Sequence, residues 1–270
     1  MGEDKAQKQY RGRMAPTPSG YLHEGNVKTF RVAMQRANNA KGKLFLRMDD
    51  LDSARCKGKY FDACIEDLDK AGLVWDEYSE LPNDLGMCRQ SSRMKFYHEA
   101  FHELMKTGLI YPCNRTRSEI RKAGIKNRFG EEYLFPEKWR GKLVSQEGDQ
   151  LSIHQNWRIA TNWGEQISLM DRRLGKVDFE IGKDFSDFLI WRKDGFPAYE
   201  LASVVDDRIM RITEIVRGED LLLSSAKQCL LYDILAWRKP GFYHCKLILD
   251  GDGEKLSKSS RFAPRFLSKI

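Results

Sequence analysis

The sequence lacks a long apolar run. None of its 270 residues lies in a stretch near the roughly 18 apolar residues that a membrane-spanning helix requires. Residues 2–13 are polar and of mixed charge, which is not the pattern of a secretion signal. Hydrophobic residues make up 41% and charged residues 31%, a composition typical of globular enzymes. We therefore expect a cytoplasmic protein with no membrane attachment. We also expect a monomer, because no sequence pattern predicts an oligomer.

Closely spaced cysteines are also absent. Cys56, Cys64, Cys88, Cys113, Cys229 and Cys245 are the six cysteines, and no two of them lie within four residues of each other. Zinc sites usually begin with such a close pair, so the spacing does not predict a zinc knuckle. A cytosolic chain of this length has little need of disulfides, and free thiols are expected.

Acidic residues are outnumbered by basic ones. The net charge is +7 and the isoelectric point is near 9.0. A basic surface favours a polyanionic partner such as RNA, although the same charge also serves simple solubility.

The first part of the chain alternates between strand and helix patterns, with no internal repeat. Such alternation predicts an α/β fold with a parallel sheet. The predicted elements are a strand over residues 10–15, a helix with Val27, Phe30, Met34 and Ala37 on one face and Gly42 past its end, a strand over 43–48, and helices over about 61–71 and 92–107.

The middle of the chain has poor periodicity and dense charge. Residues 111–183 therefore predict an inserted subdomain. Regular patterns return as strands over 187–192, 212–216 and 243–249, a turn over 193–195 and a helix over about 224–237. The predicted parts are two halves of a Rossmann-type catalytic domain (1–110 and 186–250), the inserted subdomain (111–185), and a loop with a short tail (251–270).

A first chemical signature, APTPSGYLHEGN over residues 15–26, lies between a predicted strand and a predicted helix. The free N–H groups and partial positive charge of a helix N-terminus suit phosphate. Gly20 and Gly25 allow close backbone approach, and His23 can donate a hydrogen bond to a phosphate oxygen. The alternative is an ordinary turn with a surface histidine, which the length of the string disfavours.

A second signature, KLSKS over residues 255–259, follows a glycine-rich turn. Lys255 and Lys258 could close over a triphosphate and neutralise charge that develops in the transition state. A solvated basic turn is the alternative for this segment alone.

With four further segments, the chain resembles the catalytic core of a glutamyl-tRNA synthetase from about residue 10 to residue 258. These segments are LRMDDLD (46–52), DFLI (187–190), YELASVVDD (199–207) and TEIVRGED (213–220). The resemblance implies the Rossmann-type catalytic domain of a class I aminoacyl-tRNA synthetase, split by an inserted connective subdomain.

The resemblance also implies a role for each matching residue. Arg13, Arg217 and Tyr199 would bind the side-chain carboxylate of glutamate, for which the planar guanidinium is well suited. Asp49 would hold the α-ammonium group. The remaining implied residues are Ala15 and Thr17 for glutamate, Pro18, Gly20, His23, Gly25, Asn26 and Lys258 for ATP, and His23, Lys255 and Lys258 for catalysis. The alternatives are ion pairs of Arg13 or Arg217 with Asp50 or Glu219, and a core position for Tyr199.

By this resemblance, glutamate and ATP give glutamyl-adenylate with Mg²⁺ and without tRNA, and the glutamate passes to RNA. Because the sequence ends at Ile270, it resembles the glutamyl-queuosine tRNA(Asp) synthetase family, in which the acceptor is the queuosine base of tRNA(Asp). A catalytic fragment that charges a tRNA 3′ end and a non-catalytic tRNA-binding protein are the alternatives.

Five positions differ from that family. Cys113 is followed by Arg115 where a second cysteine is common, and Glu137 stands where another is expected after Tyr133. We therefore expect no zinc and predict an ion pair between Arg115 and Glu137. Asp49 replaces a usual glutamate. Arg208 and Arg211 add positive charge that could contact RNA or have no consequence.

Overall fold

The computed structural model describes residues 9–76, 89–130, 132–144 and 152–247. They form two compact units. Unit 1 comprises described residues 9–76, 89–92, 211–219 and 240–247, and unit 2 comprises 93–130, 132–144, 152–210 and 220–239. Unit 1 is therefore built from segments that are far apart in the sequence.

The described helices and strands alternate along much of the chain. In chain order they are β1 (Arg11–Met14), α1 (Glu24–Asn39), β2 (Lys43–Leu46), α2 (Gly58–Lys70), α3 (Met94–Lys106), β3 (Ile110–Pro112), α4 (Arg117–Ala123), β4 (Trp157–Ile159), β5 (Gln166–Asp171), β6 (Gly175–Glu180), β7 (Phe188–Trp191), α5 (Tyr199–Ile209), β8 (Glu214–Gly218), α6 (Leu222–Ile234) and β9 (Gly241–Cys245).

Unit 1 contains two parallel strand pairs. Strand β1 pairs with β2, and β8 pairs with β9. The backbone N–H of Thr213 donates to the carbonyl of Arg11 over 2.9 Å, which places the start of β8 beside β1. Helix α1 buries Phe30, Ala33 and Ala37 against this layer, as expected for an apolar face with helical spacing. Parallel pairs covered by helices are the α/β arrangement that the sequence predicts.

Gly42 joins α1 to β2 at a point of close backbone approach. Its N–H donates to the carbonyl of Ala37 over 2.9 Å. A Cβ atom at this position would lie 2.4 Å from the carbonyl oxygen of Tyr10. Only glycine therefore fits where the chain leaves α1 and enters the strand beside β1.

Unit 2 contains antiparallel strands and three longer helices. Strand β4 pairs with both β3 and β7, and β5 forms a hairpin with β6. Helix α5 packs against α3 and α6. Asp206 on α5 accepts hydrogen bonds from Arg93 Nη1 and the Tyr97 hydroxyl, both over 2.9 Å, and all three side chains are buried. This charged cluster links the start of α3 to α5.

The α/β class is confirmed, and most predicted elements are present with shifted ends. Strand β9 spans Gly241–Cys245, so it begins two residues before the predicted strand over 243–249, of which residues 248 and 249 lie outside the described residues. Residues 111–183 are more regular than predicted, since they contain α4 and β4–β6. Helix α5 has no counterpart among the predicted elements. The four-part division of the chain stays a prediction.

Within the described residues, no helix combines the length and apolar character needed to cross a membrane.

Candidate functional site

The first signature forms the connection from β1 to α1, and His23 is the N-cap of that helix. The Nδ1 atom of His23 accepts from the backbone N–H of Asn26 over 3.4 Å, and the His23 N–H donates to Asn26 Oδ1 over 3.3 Å. In a neutral imidazole whose Nδ1 accepts, the proton lies on Nε2. The cap therefore gives His23 an Nε2–H donor at the positive end of a 16-residue helix.

Gly25 within this connection and Asp67 outside it help to fix its conformation. A Cβ atom at Gly25 would lie 3.0 Å from the His23 ring, so the glycine makes room for the imidazole. Asp67 on α2 accepts from the backbone N–H of Leu22. Burial raises the pKa of Asp67, and the Leu22 hydrogen bond opposes this shift. The sequence alone gives no indication of this contact, because Asp67 lies 45 positions after Leu22 on another element.

Two buried arginines extend from neighbouring strands. Arg13 on β1 is 5% exposed and Arg217 on β8 is 4% exposed. Arg13 Nη1 donates to the carbonyl of Val216 over 3.1 Å, and the Arg217 guanidinium lies 5.4 Å from the Phe242 ring centre. Asp50 instead accepts from the N–H and hydroxyl of Ser91, which argues against its predicted alternative pairing with Arg13. The two strands thus bring both predicted carboxylate-binding residues into one layer.

Asp49 lies just after β2 and is fixed by a neighbouring guanidinium. Arg47 Nε donates to Asp49 Oδ1 over 2.7 Å, and Arg47 Nη2 donates to Oδ2 over 3.2 Å. The side chains are 1% and 7% exposed, respectively. The Asp49 N–H donates to the carbonyl of Pro16 over 2.9 Å, which holds it beside the first signature. Arg47 therefore fixes the Asp49 carboxylate, a contact that the sequence alone does not indicate.

The other predicted site residues fall into three groups. The first group lies in unit 1, in the loop after β1 and in the first turn of α1, and comprises Ala15, Thr17, Pro18, Gly20, Gly25 and Asn26. Tyr199 opens α5 in unit 2 and is 38% exposed, which argues against a core position. Lys255 and Lys258 lie outside the described residues.

The predicted ion pair between Arg115 and Glu137 is wrong. Arg115 Nη1 contacts Glu119 over 2.9 Å, one helical turn away, and its guanidinium lies over Trp139. The Glu119 carboxylate also accepts from the backbone N–H and the hydroxyl of Thr116, the N-cap of α4. The Thr116 N–H, followed by Arg115, lowers the pKa of Glu119 to about 2. Arg115 precedes α4, and the Thr116 N-cap holds the Glu119 carboxylate within its reach, so Arg115 pairs with Glu119 and not with Glu137. Glu137 instead lies 3.8 Å from Arg140.

No group of three or more potential metal ligands occurs among the residues that the structure describes. The expectation of no zinc stays a prediction. Arg208, one of the two added cations, lies over the Trp237 ring at 3.8 Å and contacts Glu103 at 3.7 Å. Its predicted contact with RNA is likewise untested.

The family described as tRNA synthetases class I (E and Q), catalytic domain, matches residues 9–263. The chain belongs to this family. It is an enzyme of the ligase class with the α/β catalytic domain of class I synthetases.

Relatives of two kinds are similar to the chain. It is 36% identical over 252 residues to Glutamyl-Q tRNA(Asp) synthetase of Chromobacterium violaceum, and the match covers 93% of this chain and 79% of that protein. It is also 36% identical over 253 residues to Glutamate–tRNA ligase of Aquifex aeolicus, and the match covers 91% of this chain and 50% of that ligase.

A solved structure has the same fold. The crystal structure of a glutamate tRNA ligase from Elizabethkingia meningosepticum in complex with its amino acid matches with a TM-score of 0.76 and 29% identity. The match covers 93% of this chain and 52% of that chain. The chain therefore spans about half the length of the glutamate–tRNA ligases it matches.

Proposed function

We propose that the enzyme activates L-glutamate with ATP to form glutamyl-adenylate, without tRNA, and then transfers the glutamate to tRNA. The coarser part, a glutamate–tRNA ligase-like activity, follows from relatives of both names at 34–36% identity. The finer part rests on the buried residues of unit 1. The observation that carries it is the pair of buried guanidinium groups on β1 and β8.

Arg13 and Arg217 are suited to the side-chain carboxylate of glutamate. The planar fork of a guanidinium group matches the two oxygens of a carboxylate. Asp49, held by Arg47, would accept the α-ammonium group, and Ala15 and Thr17 would line the same pocket. The family resemblance adds Tyr199 as a further candidate for binding the side-chain carboxylate. A neutral glutamine side chain offers less charge to two cations, so glutamate is the favoured substrate.

In the activation step, an oxygen of the glutamate α-carboxylate forms a bond to the α-phosphorus of ATP as pyrophosphate leaves. The N-terminus of α1 and the Nε2–H donor of His23 would stabilise negative charge on the phosphates. Pro18, Gly20, Gly25 and Asn26 would shape the same ATP-binding loop. Mg²⁺ would bind the phosphate oxygens, and Lys255 and Lys258 would neutralise charge on the leaving group.

We propose the queuosine base of tRNA(Asp) as the acceptor. Support comes from three relatives named Glutamyl-Q tRNA(Asp) synthetase, at 33–36% identity over 92–94% of this chain. Transfer to a tRNA 3′ end is the second candidate, because Glutamate–tRNA ligases match with the same identity.

Periodate oxidises vicinal diols, and queuosine carries one as well as the terminal ribose, so both diols must be followed if periodate is used to distinguish the two acceptors. Removal of the 3′-terminal adenosine is a simpler test. We expect glutamylation to survive this removal and to fail on tRNA(Asp) that carries guanine in place of queuosine. Loss of charging on the shortened tRNA would instead support 3′ esterification. Retained tRNA binding without ATP–pyrophosphate exchange would support a non-catalytic tRNA-binding protein.

A further inference from the structure

Unit 2 contains a cavity of about 300 Å³ beside α4. Its described lining includes three arginines and four aromatic residues, namely Arg117, Arg121, Arg158, Tyr133, Phe135, Phe185 and Phe188. None of the residues assigned above to glutamate or ATP is among the described lining residues. The cavity therefore needs an explanation of its own.

The cations of this cavity exceed the carboxylates that could neutralise them. Arg117 and Arg121 are exposed, four residues apart on α4, and neither has a carboxylate partner among the described residues. Lys227 also lines the cavity, but its ammonium group lies 2.6 Å from Glu132 and is already paired. Like charges at i,i+4 repel each other, and an anion between them would remove that cost.

Arg158, on β4, holds a third guanidinium in a fixed position. Its Nη1 donates to the backbone carbonyl of Asp187 over 2.9 Å, and it lies 4.4 Å over the Phe135 ring. Its Nε is buried and has no hydrogen-bond partner in the described part of the chain. The Asp187 carboxylate is occupied by other donors, among them Arg140. The charge of Arg158 is therefore not balanced by a described carboxylate.

We propose that this cavity binds the phosphate group of a nucleotide. Arginine donors in a planar fork match phosphate oxygens, and the ring that stacks on Arg158 orders its guanidinium before a ligand arrives. Aromatic lining beside the cations suits a nucleobase. The phosphate belongs either to a single-stranded RNA segment or to a free nucleotide. The site does not depend on the proposed activation of glutamate.

Nuclear magnetic resonance of arginine Nε–H groups tests the site locally. The full chain is titrated separately with inorganic phosphate, uridine 5′-monophosphate and hexauridylate that lacks a terminal phosphate. The Arg158 signal is assigned with Arg158→Lys. The double variant Arg117→Ala/Arg121→Ala should weaken binding about tenfold for each arginine, because each charged hydrogen bond is worth about that factor. Lys122→Ala, on the same helix but not in the described lining, is the matched control and should change little.

The outcomes separate the ligand sources. If hexauridylate binds most tightly, the ligand is an RNA segment. If only the mononucleotide or inorganic phosphate binds, the ligand is a free one. Both results support the proposal that the cavity binds a phosphate group. The idea is overturned if no probe moves the Arg158 signal, or if the double variant binds like Lys122→Ala. Because ATP–pyrophosphate exchange is measured on the same samples, failure of glutamate activation would be seen independently.

Discussion

The two units use buried charge in opposite ways. In unit 1, Arg13 and Arg217 bring two buried cations to one layer of strands. In unit 2, a buried carboxylate, Asp187, collects donors from distant parts of the chain. The first arrangement is suited to an anionic substrate, and the second holds a fold together.

The contacts of Asp187 show how far this structural role extends. Its carboxylate accepts from the Tyr111 hydroxyl over 2.6 Å and from Arg140 Nε and Nη2, each over 2.8 Å. The N–H and hydroxyl of Thr161 donate to it over 2.9 Å. Burial, followed by the hydrogen bond to Asp187, raises the pKa of Tyr111. A single side chain thus joins the residues around β3, β4 and β7.

The largest expected effect comes from removing this carboxylate. Asp187→Ala leaves Arg140 and the buried Tyr111 hydroxyl without their shared acceptor, so the free energy of unfolding should fall by about 3–5 kcal/mol. Urea denaturation measures the loss. Asp178→Ala, at an exposed hairpin position with contacts to Ser168 and Lys176, is the control and should lower the free energy of unfolding far less. Equal losses would remove the distinction between the two kinds of carboxylate.

A smaller effect tests the placement of His23 in unit 1. In Gly25→Ala, the new Cβ atom would meet the His23 ring at 3.0 Å and force it to move. We expect the rate of ATP–pyrophosphate exchange to fall about tenfold, since small displacements of catalytic groups are costly, while the melting temperature stays nearly constant. Gly58→Ala is the matched control, because a Cβ atom there meets nothing within 4 Å. An unchanged rate in Gly25→Ala would argue against His23 in catalysis.

The smallest expected effect concerns Glu200, which follows Tyr199 on α5. Burial raises the pKa of Glu200 above its usual 4.5, and Lys227 opposes the shift. The folded state therefore binds this proton more tightly than the unfolded state. Its contribution to stability is lost as the pH rises from about 4.5 through the folded-state pKa.

Glu200→Gln should remove this dependence. Relative to the variant, the wild-type melting temperature should fall between pH 4 and pH 7. Glu99→Gln, at an exposed position on α3, is the control and should follow the wild-type curve. If the melting temperature of Glu200→Gln ran parallel to that of the wild type across this pH range, burial would not disfavour the charged form of the Glu200 carboxyl group.

The sequence predicts the elements of unit 1 well because their patterns are local. Phe30, Ala33 and Ala37 have helical spacing, and the first signature lies where a strand precedes a helix. Asp67 and Arg47 could not be assigned their roles, since each depends on a particular contact in the folded chain.

Unit 2 is less predictable for two different reasons. Strand β5 alternates in burial, with Ile167, Leu169 and Asp171 inside, but the exposed Met170 and the charged, buried Asp171 break the apolar alternation that would predict a strand. Helix α5 is buried on most sides from Leu201 to Asp207, so it has no narrow apolar stripe to reveal it. The role of Asp187 depends on partners 26 to 76 residues away, and no local pattern encodes it.

Selection of glutamate for activation by ATP is the role that we propose for Arg13 and Arg217. ATP–pyrophosphate exchange without tRNA, run with L-glutamate and L-glutamine on wild type and Arg217→Gln, tests it most directly. We predict exchange for the wild type with glutamate only. Arg217→Gln should lose about 10- to 100-fold in kcat/KM for glutamate, the worth of a charged hydrogen bond. Exchange that is equal for both amino acids, or unaffected by Arg217→Gln, would contradict the claim.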